Sequence, residues 1–135
     1  MHIIYDNKKD AKDILEKTAG IVLRTAAGKG ARNKLVHADN LAALKTLLCD
    51  YSGKVDLIYI DPPFATKGHF RISDDRASTV SSSSDDAIAY SDTLVGAEFL
   101  EFLRERLIFL REFLSEHGSI YLHIDYKIGH YVKLI

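Results

Sequence analysis

Apolar residues recur at three- and four-residue steps through residues 97–117, where Phe99, Leu100, Leu103, Leu107, Leu110 and Leu114 alternate with Glu101, Arg104, Glu105, Arg111 and Glu112. That is the period of a helix with one buried stripe. Phe102, Ile108, Phe109 and Phe113 widen the stripe, so this helix is expected to be covered on more than one side. His117 and Gly118 form its stop signal. A second helical period runs from Asp39 or Asn40, either of which suits an N-cap, to about Asp50, with Leu41, Leu44, Leu47 and Leu48 on one face. Gly53 suits the left-handed position that ends many helices. A shorter period covers residues 9–18 through Ala11, Ile14 and Leu15.

Elsewhere the pattern changes to short continuous apolar runs. Residues 55–60 and 119–124 read as buried parallel strands, residues 35–38 as another, and residues 1–5 and 21–23 as shorter ones. Strand 35–38, helix and strand 55–60 follow so closely that a right-handed parallel crossover is the default. Asp39 and Asp61 would then share one edge of the sheet, at the carboxyl ends of strands. Residues 126–135 begin a further helix. Between 65 and 96 the pattern disappears into a serine-rich, acidic stretch around Ser78 to Asp86. A structureless loop of that length is either a substrate-side lid or a plain insertion. His69, Arg71 and Arg76 are candidate phosphate contacts there. The small, basic loop 26–33 contains Gly28-Lys29-Gly30; it reads as a flexible connection, with backbone-amide binding of a phosphate as the alternative.

With 135 residues, 47% of them hydrophobic and 27% charged, there is room for one small globular domain. No apolar stretch approaches a membrane span of roughly 20 residues. The single cysteine, Cys49, excludes an internal disulfide, fits a reducing cytoplasm and is expected to pack in the core. A net charge of −1 gives no bulk basic footprint, so contact with a polyanion has to rest on local patches or on other parts.

The candidate chemistry lies in Asp61-Pro62-Pro63-Phe64. Pro62 and Pro63 have no N–H for a ladder and each ring fixes its own φ, so strand 55–60 stops and delivers Asp61 into a stiff loop. Open α/β sheets place ligands at that end. A carboxylate, a rigid carbonyl without a neighbouring donor, and an aromatic face suit a planar group carrying an exocyclic amine. The tetrapeptide resembles the (Asp/Asn/Ser)-Pro-Pro-aromatic signature of DNA amino-methyltransferases. Residues 33–41 (Asn-Lys-Leu-Val-His-Ala-Asp-Asn-Leu) and 118–125 (Gly-Ser-Ile-Tyr-Leu-His-Ile-Asp) extend the resemblance toward the adenine-specific modification subunits of type III restriction-modification systems.

The resemblance implies a partial Rossmann-like methyltransferase fold and transfer of a methyl group from S-adenosylmethionine to N6 of adenine, or N4 of cytosine. It implies Asp61 as acceptor for the target amine, the Pro62 carbonyl sharing that task, Pro63 stiffening the turn, and Phe64 stacking on a flipped base. Partners implied are double-stranded DNA, a restriction subunit and a second copy of the chain, none specified by these residues. Asp39, Asp61 and Asp125 are the candidate cofactor-binding acids, Asp39 and Asp125 being equally suited to capping the helices that follow them. A metal site from His117, His123, Asp125 and His130 matches no standard zinc spacing. The Phe-x-Gly-x-Gly cofactor loop of that family is missing, as in the first half of its permuted members. Residues 1–32 are therefore expected to be an N-terminal extension and 33–135 the catalytic half of a methyltransferase domain, with a flexible insertion at about 65–96. Alone, such a chain is expected to bind cofactor poorly and to turn over little. A non-catalytic remnant and an RNA amino-methyltransferase are the competing readings.

Overall fold

The computed structural model describes residues 3–28, 30, 33–62, 69–73, 76–77, 87–91 and 96–135; in the strands between 69 and 91 it describes the backbone alone. In chain order the elements are α1 (Ala11–Lys17), α2 (Asn40–Tyr51), β1 (Val55–Ile60), β2 (His69–Ser73), β3 (Arg76–Ala77), β4 (Ala87–Ser91), α3 (Gly96–Phe113), β5 (Leu114–Leu122) and α4 (Tyr126–Val132). β1 and β5 pair in parallel, with α3 in the connection between them. A separate antiparallel sheet has the order β3-β2-β4. The parallel pair with its helices is the expected α/β arrangement, a partial Rossmann-like fold.

α3 is the element that α1, α2, α4 and the β1–β5 pair pack around, as its wide apolar arc requires. Phe99, Leu103 and Phe109 are 0%, 1% and 0% exposed, each burial stabilising by about 1.5–3 kcal/mol. Ile108 and Phe109 meet Ile14 of α1 and Leu41, Leu44 and Leu48 of α2. Leu110 and Phe113 meet Ile58 of β1 and the inner face of α2. Phe99, Leu100 and Leu103 lie under Ile60, Leu122 and α4. Residues from the expected N-terminal extension are thus part of the packing, through α1.

Two of the charged residues that alternate with the apolar stripe of α3, Glu101 and Arg104, are buried. The chain between Ile3 and Asp10 explains it. The Tyr5 hydroxyl donates to Glu101 Oε2 at 2.5 Å, and the Lys9 N–H donates to Oε1 at 3.0 Å. Arg104 donates to the Lys9 carbonyl at 2.8 Å and to Glu101 at 3.3 Å. Buried charges persist when paired and hydrogen-bonded in this way. Burial first, and then the hydrogen bond and charge of Glu101, push the Tyr5 hydroxyl well above its ordinary pKa.

Several expected boundaries move. α3 ends at Phe113 rather than near His117, and the chain enters β5 at once. Val55 pairs with Leu114 but Leu57 with Ser119, so a bulge in β5 absorbs the intervening residues. Gly118 belongs to that bulge, not to a helix stop: a Cβ there would lie 2.6 Å from the Val55 carbonyl oxygen and 2.9 Å from Leu114 Cδ2. Gly118→Ala is expected to destabilise the protein by about 1–3 kcal/mol, as overpacking does. A lower denaturant midpoint with an unchanged slope is the expected result; an unchanged midpoint would mean the bulge gives way freely.

Residues 35–38 form no strand, and Leu35 is 99% exposed. A strand needs a ladder, and among the described residues β1 pairs with β5 only. Residues 21–23 are also irregular; Thr46 Oγ1 of α2 accepts from the Ile21 N–H and lies 2.9 Å from its carbonyl, replacing a ladder partner. The described residues of 1–5 carry no strand either. Conversely, the stretch expected to lack regular structure carries β2, β3 and β4. The alternation His-Phe-Arg-Ile-Ser at 69–73 was the signal for β2. Cys49 is exposed rather than packed in the core, because it lies next to Leu48 and so about 100° around α2 from that stripe. Among the described residues, no helix is long and apolar enough to cross a membrane.

Candidate functional site

The carboxyl end of the β1–β5 pair gathers the chemistry. Ile60 pairs with Leu122, and the ladder continues one bond further, the His123 N–H donating to the Ile60 carbonyl at 2.9 Å. The next residue on β1's side is Asp61. Its Oδ1 lies 3.1 Å from His123 Nδ1, and the two side chains are 59% and 58% exposed. An ionised carboxylate only accepts, so this contact requires the imidazole proton on Nδ1.

Strand alternation explains why both side chains face outward. Ile58, Ile60 and Leu122 turn inward onto α3. Leu57, Tyr59 and Tyr121 stand exposed, and Asp61 and His123 continue that outer row by the period of two. Asp61 is therefore not turned into the core. Pro62 follows, half-buried, with no N–H to compete for an acceptor. Pro63 and Phe64, the latter the expected stacking partner, lie outside the described residues.

Asp125 Oδ1 accepts from the Lys127 N–H at 2.7 Å and caps α4. Asp39 Oδ1 accepts from the Ala42 N–H at 3.0 Å and caps α2. Both are caps, the second of the two roles open for them. Asp39 reaches this place on an irregular segment, not at the end of a strand. Its surroundings include Arg106 of α3, whose Nε donates to Asn40 Oδ1 at 2.8 Å and whose guanidinium stacks 3.5 Å from the Phe102 ring centre. Burial lowers the Arg106 pKa, while the charges of Asp39 and Glu105 oppose that shift.

His69, Arg71 and Arg76 lie on β2 and β3, their side chains outside what the structure describes. Lys127 and His130 are on the exposed face of α4. Among the described residues, no group of three or more His, Cys, Asp or Glu is placed to hold a metal ion.

His123 is the member that sequence reasoning did not connect to Asp61. It stood beside Asp125 in the chain, and its partner across the ladder became visible only with the β1–β5 register.

Comparison with known proteins gives a consistent result. Residues 55–135 match a family model described as DNA methylase, of the N6/N4 type. The chain is 35% identical over 130 residues to the type II methyltransferase M.EcaI of Enterobacter cloacae, an alignment covering 92% of this chain and 26% of that protein. It is 37% identical over 110 residues to the type III restriction-modification enzyme EcoPI Mod subunit of Escherichia phage P1, covering 72% and 17%. It is 28% identical over 120 residues to the probable type III HindVI Mod subunit of Haemophilus influenzae, covering 89% and 14%. The chain spans about a quarter or less of the length of these relatives.

Proposed function

The chain belongs to the N6/N4 DNA methylase family, and from that premise we propose that it carries the amine-gripping end of a site-specific DNA methyltransferase acting on N6 of a flipped adenine. The observation that carries this reading is the outward Asp61 carboxylate, delivered at the rim of the β1–β5 pair, tied to His123 and followed by a residue with no N–H. An exocyclic amine has two N–H groups. Asp61 accepts one and the Pro62 carbonyl the other, which turns the nitrogen lone pair out of the ring plane and toward an electrophile. Extruding the base costs a few kcal/mol, and stacking on Phe64 returns on the order of 1–3 kcal/mol.

S-adenosylmethionine suits the donor set, since its ammonium and sulfonium are cations and this rim carries the carboxylates of Asp61, after β1, and of Asp125, at the start of α4. Asp39 is a further acid for it at the start of α2. Bound, it supplies a methyl group on a positively charged sulfur. The chain's own work is positioning: it holds the amine in line and keeps competing donors away from the acceptors. The same reading takes double-stranded DNA as substrate and a restriction-modification system as its setting, with a restriction subunit or a second copy as partner. The names of the type II and type III relatives support that setting.

The test uses the protein expressed from its own gene, with duplex DNA and methyl-labelled S-adenosylmethionine, followed by digestion to nucleosides. N6-methyldeoxyadenosine is expected. N4-methyldeoxycytidine would move the target to cytosine, and no labelled nucleoside from any duplex would end the reading.

A further inference from the structure

We propose that His123 is a positioning residue for Asp61: its Nδ1–H holds the Asp61 Oδ1 oxygen in place, so that Oδ2 is the atom presented to the target amine. This deepens the function proposed above and rests on it. Among the described residues of the motif, none donates to the Asp61 carboxylate. Pro62 and Pro63 have no N–H to reach back to it, and the described donor comes from the neighbouring strand.

The parallel register supplies that donor. Leu122 stands opposite Ile60, and the His123 N–H is anchored on the Ile60 carbonyl at 2.9 Å, which fixes the His123 backbone relative to the residue preceding Asp61. Both side chains then leave the sheet on the same face and meet at 3.1 Å. An exposed carboxylate otherwise rotates among rotamers, whereas one held by a donor on the neighbouring strand has one oxygen engaged and the other directed. The bulge at Gly118 makes this pairing: between Val55 and Leu57 on β1, β5 runs from Leu114 to Ser119 and carries three extra residues; drawn into an unbroken ladder they would shift β5 by three, an odd number that sends His123 to the opposite face.

The experiment compares His123→Ala, His123→Asn and His123→Gln with the wild type in the methyl-transfer assay. Asn carries a donor close to where Nδ1 stood, whereas Gln carries one near the Nε2 position. Ala is expected to lower kcat about tenfold with KM for DNA within about twofold, the pattern of an interaction that acts on the reacting geometry rather than on binding. Asn is expected to recover most of the loss and Gln to behave like Ala. Wild-type kcat in all three variants, or equal impairment in all three, would overturn the inference. If the wild type itself methylates nothing, the proposed function has failed, and the pairing is then tested separately. Imidazole ¹⁵N shifts are expected to show the proton of His123 on Nδ1 and to change in Asp61→Ala; an unchanged tautomer in that variant would overturn the pairing too.

Discussion

Asp61→Ala is expected to lower methyl transfer by about 10²–10³-fold while leaving the fold intact. The magnitude is that of removing one preorganised group that acts on the charge developing in a transition state. The fold should tolerate the change because the side chain is 59% exposed and its described partner is the equally exposed His123; ion pairs in water contribute about 0–1 kcal/mol. Asp61→Asn separates two contributions. It keeps one acceptor oxygen but introduces an N–H pair, which opposes the target amine and also meets the Nδ1–H of His123 as donor against donor. A loss at least as large as that of Ala is therefore expected unless the amide turns its oxygen outward. Single-turnover rates with labelled cofactor, alongside thermal unfolding of each variant, make the measurement. An Asp61→Ala protein that folds normally and keeps a third or more of the wild-type rate would show that this carboxylate does not grip the amine.

How much of this was legible in the sequence depends on whether the cause is local. Two imino acids after a β-branched and aromatic run stop a strand wherever they occur, so the end of β1 at Ile60 and the outward delivery of Asp61 were readable. The caps at Asp39 and Asp125 and the left-handed Gly53, with φ of 68°, were readable for the same reason. What depends on a distant partner was not. The strand expected at 35–38 has the right residues, but no described strand pairs with it. His117 and Gly118 imitate a helix stop, yet Gly118 is there because the Val55 carbonyl approaches too closely for a Cβ. His123 could not be linked to Asp61 before the register of two strands 62 residues apart was known. Glu101 and Arg104 are spaced three apart on α3, a spacing that serves a solvated ion pair as well as a buried one. Only the crossing of Tyr5 and Lys9 over them distinguishes the two.

That crossing leads to the largest expected change in stability. Arg104→Ala is expected to cost about 3–5 kcal/mol, because it leaves Glu101 buried without its cation, out of a total of about 5–15 kcal/mol for a typical domain. The pair is 8% exposed at both residues, and Arg104 also holds the Lys9 carbonyl, so the loss should free the N-terminal segment from α3 as well. Replacing both residues with apolar ones, Glu101→Met with Arg104→Leu, is expected to recover much of the loss, since no charge then remains buried. The network also sets an alkaline limit. The Tyr5 pKa lies above its ordinary 10.0 in the folded protein, so as pH rises past about 10 the unfolded chain gives up this proton first. The unfolded state then binds fewer protons, and stability falls with rising pH; below that range the contribution is fully present. Lys9, raised chiefly by its hydrogen bond to Glu105, shifts in the same direction, so Tyr5→Phe should reduce the alkaline slope without abolishing it. Denaturant midpoints at neutral pH and at pH values above 10 test both parts. Arg104→Ala unfolding at the wild-type midpoint, or Tyr5→Phe keeping the full alkaline slope, would mean that the segment over α3 carries little of the fold's stability.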